Sequence, residues 1–386
     1  MKKIALFLMI SIIVFFPNES YGHQEDLNKL IFIVVNEQLI AFEDAYPEVK
    51  DGTTYIPIRF FAEAMGADVK WDNESNSVYI TKDEGEIILD IPLKTLITDG
   101  GIIMTDCVYV KHNRIMAPFK VIAKCFGYDV SYIPAGPIAR AKNNNARMVD
   151  EEVYFHFQDT MTKEKEKMIL TIRNREKEEF RLRYKIAYIT FDDGPSIYTE
   201  RLLKILEQYH AKATFFMLAD RITNYSEIVK KVAEEGNAIG LHGVTHDVKK
   251  IYRSPSILVS EMNACNDALQ MVTGMKTTLI RVPYGSKPHM TEKFREAVLR
   301  EGYKMWDWNV DSKDSEADYV SPAVILENVK EQVARRNVPI ILLHERQSTV
   351  EALPKILEHL NQEGYILIPI DGEQKPYSFW KDMYER

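Results

Sequence analysis

Ile186-Ala187-Tyr188-Ile189-Thr190-Phe191 runs directly into Asp192-Asp193-Gly194-Pro195. A short apolar run closed by turn-forming residues reads as a buried strand. Working forward, a helical stretch extends from about Tyr198 to Tyr209, and Ala213 to Leu218 forms the next strand, followed by a helix through Val232. Ala238-Ile239-Gly240-Leu241 leads into a helix that places Leu258, Met262, Cys265, Leu269 and Val272 on one face. Thr278-Leu279-Ile280, Met305-Trp306-Asp307-Trp308, Pro339 to Leu343 and Tyr365 to Ile370 continue the series. Strands alternating with helices predict a parallel sheet. About seven such units predict an α/β fold, a distorted (β/α) barrel, whose functional residues collect at the C-terminal strand ends.

The polar clusters of this half fall at those ends. Asp192 and Asp193 close the first strand, His242 and His246 follow the third, and Arg281 ends the fourth. Asp311 and Asp314 follow the fifth, and His344 ends the sixth. Each has an ordinary explanation when taken singly: Asp-Asp-Gly-Pro makes a good turn, and a lone histidine often caps a core. Their joint recurrence at one end of a sheet points instead to one site. A carboxylate and two imidazoles suit a divalent cation with coordination positions left open, and we assign Asp193, His242 and His246 to that set. Such a cation lowers the pKa of bound water and polarises a carbonyl, the chemistry of metal-assisted hydrolysis. Asp192, adjacent to the set, is then the general base.

The segment from about Lys185 to Ile370 resembles the NodB-homology domain of polysaccharide deacetylases, carbohydrate esterase family four. The motifs that carry the resemblance appear in order: Thr190-Phe191-Asp192-Asp193-Gly194-Pro195, His242-Gly243-Val244-Thr245-His246, Arg281-Val282-Pro283-Tyr284-Gly285, Asp311-Ser312-Lys313-Asp314 and Leu342-Leu343-His344. The resemblance implies that Arg281 holds Asp192 through a forked pair of bonds and that the backbone N–H of Tyr284 faces the developing oxyanion. It further implies His344 as the general acid, Asp314 and less directly Asp311 as its orienting carboxylates, and Leu342 as a wall of the acetyl pocket. The implied metal is zinc, with cobalt, nickel or manganese as substitutes. This sequence departs from the family pattern at Gly243 (usually Ser or Thr), Ser315 (usually Trp) and Glu345 (usually Asp). Loss of that Trp reshapes one groove wall and bears on sugar choice more than on turnover.

The first third contains an internal repeat. Thr54-Tyr55-Ile56-Pro57-Ile58-Arg59 and Gly66-Ala67-Asp68-Val69-Lys70-Trp71 are echoed by Met116 to Tyr132, with Pro57, Ala62, Gly66, Asp68 and Val69 matching Pro118, Ala123, Gly127, Asp129 and Val130. Each copy reads as strand, helix, C-terminal glycine and strand, so residues 28–142 form a small α+β domain. The repeat resembles the N-terminal domain of copper amine oxidases, also found on secreted wall-associated bacterial proteins. It has no His or Cys cluster suited to copper, so the resemblance implies a targeting or binding module. Residues 143–184 are polar, with runs such as Lys163-Glu164-Lys165-Glu166-Lys167, and read as a solvated connector in which Met168-Ile169-Leu170-Thr171-Ile172 is an edge strand. The deacetylase-like domain spans residues 185–372.

Lys2 and Lys3, the apolar run Ile4 to Phe16, and small residues Ser20 and Gly22 describe a secretory signal peptide over residues 1–22. That run is shorter than the ~20 residues a spanning helix needs, so the chain is expected to be secreted or wall-associated with no stable membrane span. The 386-residue chain carries 49 Lys and Arg against 57 Asp and Glu, a net charge of −8. Without a basic excess, nucleic acid is not an expected partner. Its three cysteines, Cys107, Cys125 and Cys265, lack metal-type spacing and read as free thiols or a single Cys107–Cys125 bridge. The expected partner is an acetylated glycan of the cell wall, most simply N-acetylglucosamine of peptidoglycan. The alternatives are chitin oligomers or poly-N-acetylglucosamine, O-acetyl ester cleavage, and a non-catalytic wall-binding protein.

Overall fold

The computed structural model describes residues 30–384, so the segment read as a signal peptide lies outside the described residues. The chain divides into two compact units between Glu176 and Lys177. In the first, the repeat copies form the same local unit. Thr53–Pro57 precedes helix Ile58–Ala64 and strand Asp68–Asp72, and Arg114–Pro118 precedes helix Phe119–Cys125 and strand Asp129–Ile133. Pro57 and Pro118 sit at the helix N-caps, where a missing N–H costs nothing. The two leading strands pair antiparallel, Met116 opposite Pro57 and Pro118 opposite Tyr55. Phe61 and Phe119 then meet in the core with ring centroids 5.0 Å apart.

The polar connector is a helix, Asp150–Arg183, and the expected edge strand at residues 168–172 lies inside it. Val153, Met161 and Met168 recur at helical spacing and are buried against the first unit's core, which charge-rich composition concealed. Asp150, Glu151 and Glu152 open the helix and Arg181 and Arg183 close it, matching its dipole. The fully buried Arg140 ties down its start, donating to Asp150 at 2.8 Å and to the carbonyl of Asn36 at 3.0 Å. All three cysteines are free; Cys107 and Cys265 are buried, whereas Cys125 is exposed.

The second unit is built on an eight-stranded parallel sheet curled into an open half-barrel. Its strands are β1 (Ile186–Gly194), β2 (Ala213–Met217), β3 (Ala238–Leu241), β4 (Leu279–Ile280), β5 (Lys304–Met305), β6 (Val310–Asp311), β7 (Ile340–His344) and β8 (Ile366–Leu367). Spatial order is β5-β4-β3-β2-β1-β7-β6, with β8 also paired to β1. Strand alternation divides β1 between two faces. Ala187, Ile189 and Phe191 pack outward with Leu202 and Leu206 of the flanking helix Thr199–Gln208. Ile186 and Tyr188 pack inward with Phe216, Trp306 and Ile340. Thr190 and Asp192 continue the inward row at the C-terminal end. Register does the rest: Asp192 stands opposite both Phe216 and His344, and Thr190 opposite Leu342. The N–H groups of His242 and Arg281 continue the ladder onto Met217 and Leu241. One set of strand offsets therefore brings residues distant in sequence to one rim.

Candidate active site

At that rim, Asp193, His242 and His246 converge so that one ligand atom from each lies within 4.8 Å of the others. Asp193 Oδ1 is 3.4 Å from His242 Nε2 and 3.1 Å from His246 Nε2. The Nδ1 of His242 lies 2.7 Å from the carbonyl oxygen of Arg281. A carbonyl only accepts, so Nδ1 carries the proton and Nε2 presents its lone pair to the site. Asp193 Oδ1 is buried without a hydrogen-bond donor. An orphaned carboxylate oxygen facing two imidazole nitrogens fits a divalent cation by its donor chemistry. Burial pushes the Asp193 carboxyl up, but the neighbouring His242 and His246 outweigh it and hold the group well below its usual range. Asp193, His246 and Tyr284 all have positive φ, at 68°, 42° and 64°. Non-glycine residues pay for that backbone, and such strain concentrates at functional sites.

Asp192 is buried, and its Oδ1 accepts from Arg281 Nη1 at 2.9 Å. The fork expected from Arg281 does not close on Asp192. Its Nη1 also donates to Thr190 Oγ1 at 2.7 Å, Nε to the Trp306 carbonyl at 3.1 Å, and Nη2 to the Asp307 carbonyl at 3.2 Å. The guanidinium lies 4.2 Å from the Phe216 ring centroid. Arg281 is thus held by the sheet itself and offers Asp192 one bond from a fixed position. Asp192 keeps its second oxygen 3.9 Å from His242 Nε2, towards the metal-ligand set.

On the other side of β1, His344 Nδ1 lies 2.7 Å from Asp314 Oδ1, and the His344 N–H donates to Asp314 Oδ2 at 2.7 Å. Thr349 Oγ1 also donates to that oxygen, at 2.5 Å. Burial would lower the His344 pKa, but the Asp314 carboxylate overrides it and the value is pushed up to about 9. Asp311, named with Asp314 as an orienting carboxylate, accepts from the Lys313 N–H at 2.9 Å and shapes the loop. Leu342 is buried on β7 beside Thr190. Tyr284 is 53% exposed; its hydroxyl donates to the His246 carbonyl at 2.8 Å and its ring centroid is 4.8 Å from that of His246.

Sequence reasoning missed Thr190 and Thr349 as partners, although Thr190 lies inside the strand that opens the motif. It treated Glu345 only as a departure. The Glu345 carboxyl is buried beneath the loop after Asp193, where Ser196 Oγ (2.7 Å) and Thr199 Oγ1 (2.5 Å) donate to it. Burial pushes its pKa up against those two bonds. A Cβ at Gly194 would stand 1.9 Å from Glu345 Oε1, so only glycine fits between the metal-ligand strand and this acid.

Residues 181–306 match the polysaccharide deacetylase family, and residues 34–140 match the copper amine oxidase N-terminal domain. A peptidoglycan-N-acetylglucosamine deacetylase of Bacillus cereus is 36% identical over 204 residues, covering 51% of this chain and 74% of that protein. YheN of Bacillus subtilis is 42% identical over 185 residues, covering 47% of this chain and 65% of its own length. Among solved structures, the polysaccharide deacetylase Bc1974 from Bacillus cereus aligns with 34% identity and a TM-score of 0.49, over 52% of this chain and 99% of that one. The chain belongs to the polysaccharide deacetylase family. Residues 34–140 of its first unit are a copper amine oxidase N-terminal-like domain. Among the described residues, the side-chain group able to hold a metal is Asp193, His242 and His246, in the second unit. No helix there is long and apolar enough to cross a membrane.

Proposed function

We propose that this protein hydrolyses N-acetyl groups on an extracellular polysaccharide, N-acetylglucosamine of peptidoglycan in the first place, releasing acetate. The observation that carries the reading is the meeting of a candidate metal set, the Asp192–Arg281 pair and the His344–Asp314 pair at one sheet rim. Asp193, His242 and His246 would hold a divalent cation, zinc by preference. When bound, it supplies Lewis acidity to the acetyl carbonyl and to the attacking water. Asp192, kept in place by Arg281, takes a proton from that water. The N–H of Tyr284 stabilises the charge that develops on the carbonyl oxygen, and Leu342 bounds the acetyl methyl. His344, protonated through its pairing with Asp314, gives its proton to the departing amine nitrogen, leaving acetate and the free amino sugar. Residues 1–22 would direct export, and the repeat domain would serve wall association.

The test is acetate release from N-acetylglucosamine oligomers and purified peptidoglycan. Metal-stripped protein should release none, and zinc should restore turnover. Release from neither substrate by protein with zinc demonstrably bound would overturn the reading.

The acid assignment has a pH signature. Because the His344 pKa is raised to about 9, the acid form persists through neutrality and turnover falls as pH climbs past that value. The sign for stability is the same: the pairing stabilises the fold below the imidazole's ordinary pKa and is lost as pH rises through the raised one. Asp314→Asn removes the charge that supports the imidazolium, so the alkaline limb of the kcat profile moves to lower pH. An unmoved limb would exclude His344 as the titrating acid.

A further inference from the structure

Helix α1 (Pro255–Thr273) is capped by Ser254, whose Oγ accepts from the Ile257 N–H, and buries Leu258, Met262, Cys265 and Leu269. Glu261 lies on the same buried face, three residues after Leu258 and directly before Met262. A carboxylate there loses hydration and needs compensating donors. They come from the short loop between His242 and His246. Glu261 Oε2 accepts from the N–H of Val244 at 3.0 Å and of Thr245 at 3.0 Å, and Oε1 accepts from Thr245 Oγ1 at 2.7 Å. Successive amides converge on one oxygen because the loop is bracketed by positive φ values, 93° at Gly243 and 42° at His246. A Cβ at Gly243 would stand 3.3 Å from Glu261 Oε2 and 3.2 Å from Ile251 Cδ1. The glycine, which the sequence shows only as a departure from the family pattern, leaves room for the carboxylate.

We propose that Glu261 is a positioning residue for the metal set: by gripping the intervening residues from a rigid helix it fixes the separation and aim of His242 and His246. Each imidazole is then restrained from behind, His242 through the Arg281 carbonyl and His246 through the clamped loop. Removing an outer partner that orients a metal ligand typically weakens metal binding by about 10–100-fold. The inference rests on the reading of Asp193, His242 and His246 as the metal-holding residues.

The test is cobalt titration of the metal-stripped full chain, followed by visible absorption and chelator competition. Glu261→Ala should weaken cobalt binding by about 10–100-fold and alter the absorption bands. Glu261→Gln keeps an oxygen for the two N–H groups and an amide that donates to the Thr245 hydroxyl, so it should bind close to wild type. Leu258→Ala, on the same buried face, should lower thermal stability without weakening cobalt. Wild-type affinity and absorption in Glu261→Ala, or equal weakening in Leu258→Ala, would overturn the role of Glu261. Failure of the wild-type chain to bind cobalt would overturn the metal reading itself, and the inference with it.

Discussion

If the proposed reading holds, Asp192→Asn should lower acetate release by about 10²–10⁴-fold, the range for loss of a positioned general base, and should leave the bound metal content unchanged. The separation follows from geometry. Asp192 is buried at the end of β1 with one oxygen on Arg281 and is not in the metal-ligand cluster, whereas Asp193 supplies the oxygen between the two imidazoles. Asparagine preserves shape and can still accept from Arg281, but it cannot take a proton from water. Asp193→Asn tests the other half: metal binding itself should weaken, because a neutral amide replaces the anionic ligand. Loss of metal from the Asp192 variant, or retained turnover in it, would exchange or abolish the two roles. Metal content by elemental analysis and acetate release on the same preparation decide between these outcomes.

Arg281→Met should reduce the free energy of unfolding by about 3–5 kcal/mol, the cost of stripping one partner from a buried ion pair. Arg281 is fully buried and spends its donors on Asp192, Thr190 and the carbonyls of Trp306 and Asp307. Methionine fills part of the volume but leaves Asp192 as an isolated charge and those oxygens unsatisfied. The Asp192→Asn/Arg281→Met double variant removes the isolated charge. It should recover some of the loss, with a coupling of about 0.5–3 kcal/mol in a double-mutant cycle. Denaturant unfolding of the four proteins measures it. Strict additivity would mean that Arg281 serves the carbonyls of the β5 end and is indifferent to Asp192.

These effects arise from residues whose types were legible before any coordinates. The motif carriers stand at strand ends because each apolar run in the second half is short and bounded by turn formers, and a parallel sheet of such runs has its C-terminal ends on one side. Asp192, Asp193, His242, His246, Arg281, Asp314 and His344 were therefore addressable as one cluster, and the structure brings them to one rim. Asp311 was addressable too, but the two-residue turn onto the Lys313 N–H that it makes is local chemistry any Asp can form, so its type alone did not separate it from Asp314. The repeat was equally visible, since both copies keep the proline before the helix and the glycine and aspartate that follow it.

What only the tertiary structure decided depends on contacts between segments far apart in the chain. The helix over Asp150–Arg183 is charge-rich, and Val153, Met161 and Met168, with Tyr154, Phe157, Ile169 and Ile172 beside them, meet a core that composition alone does not reveal. Arg281 spreads its donors among Thr190, Asp192 and the chain beyond β5 because strand order places all of them around it. Glu261 carried no signal in the sequence and Glu345 showed only as a departure from the family pattern; packing buries them against the Val244–Thr245 and Ser196–Thr199 segments. Residue types and turn chemistry are local and can be read along the chain. The burial that makes a carboxylate a clamp, or a guanidinium a fixed post, comes from neighbours that sequence order does not bring together.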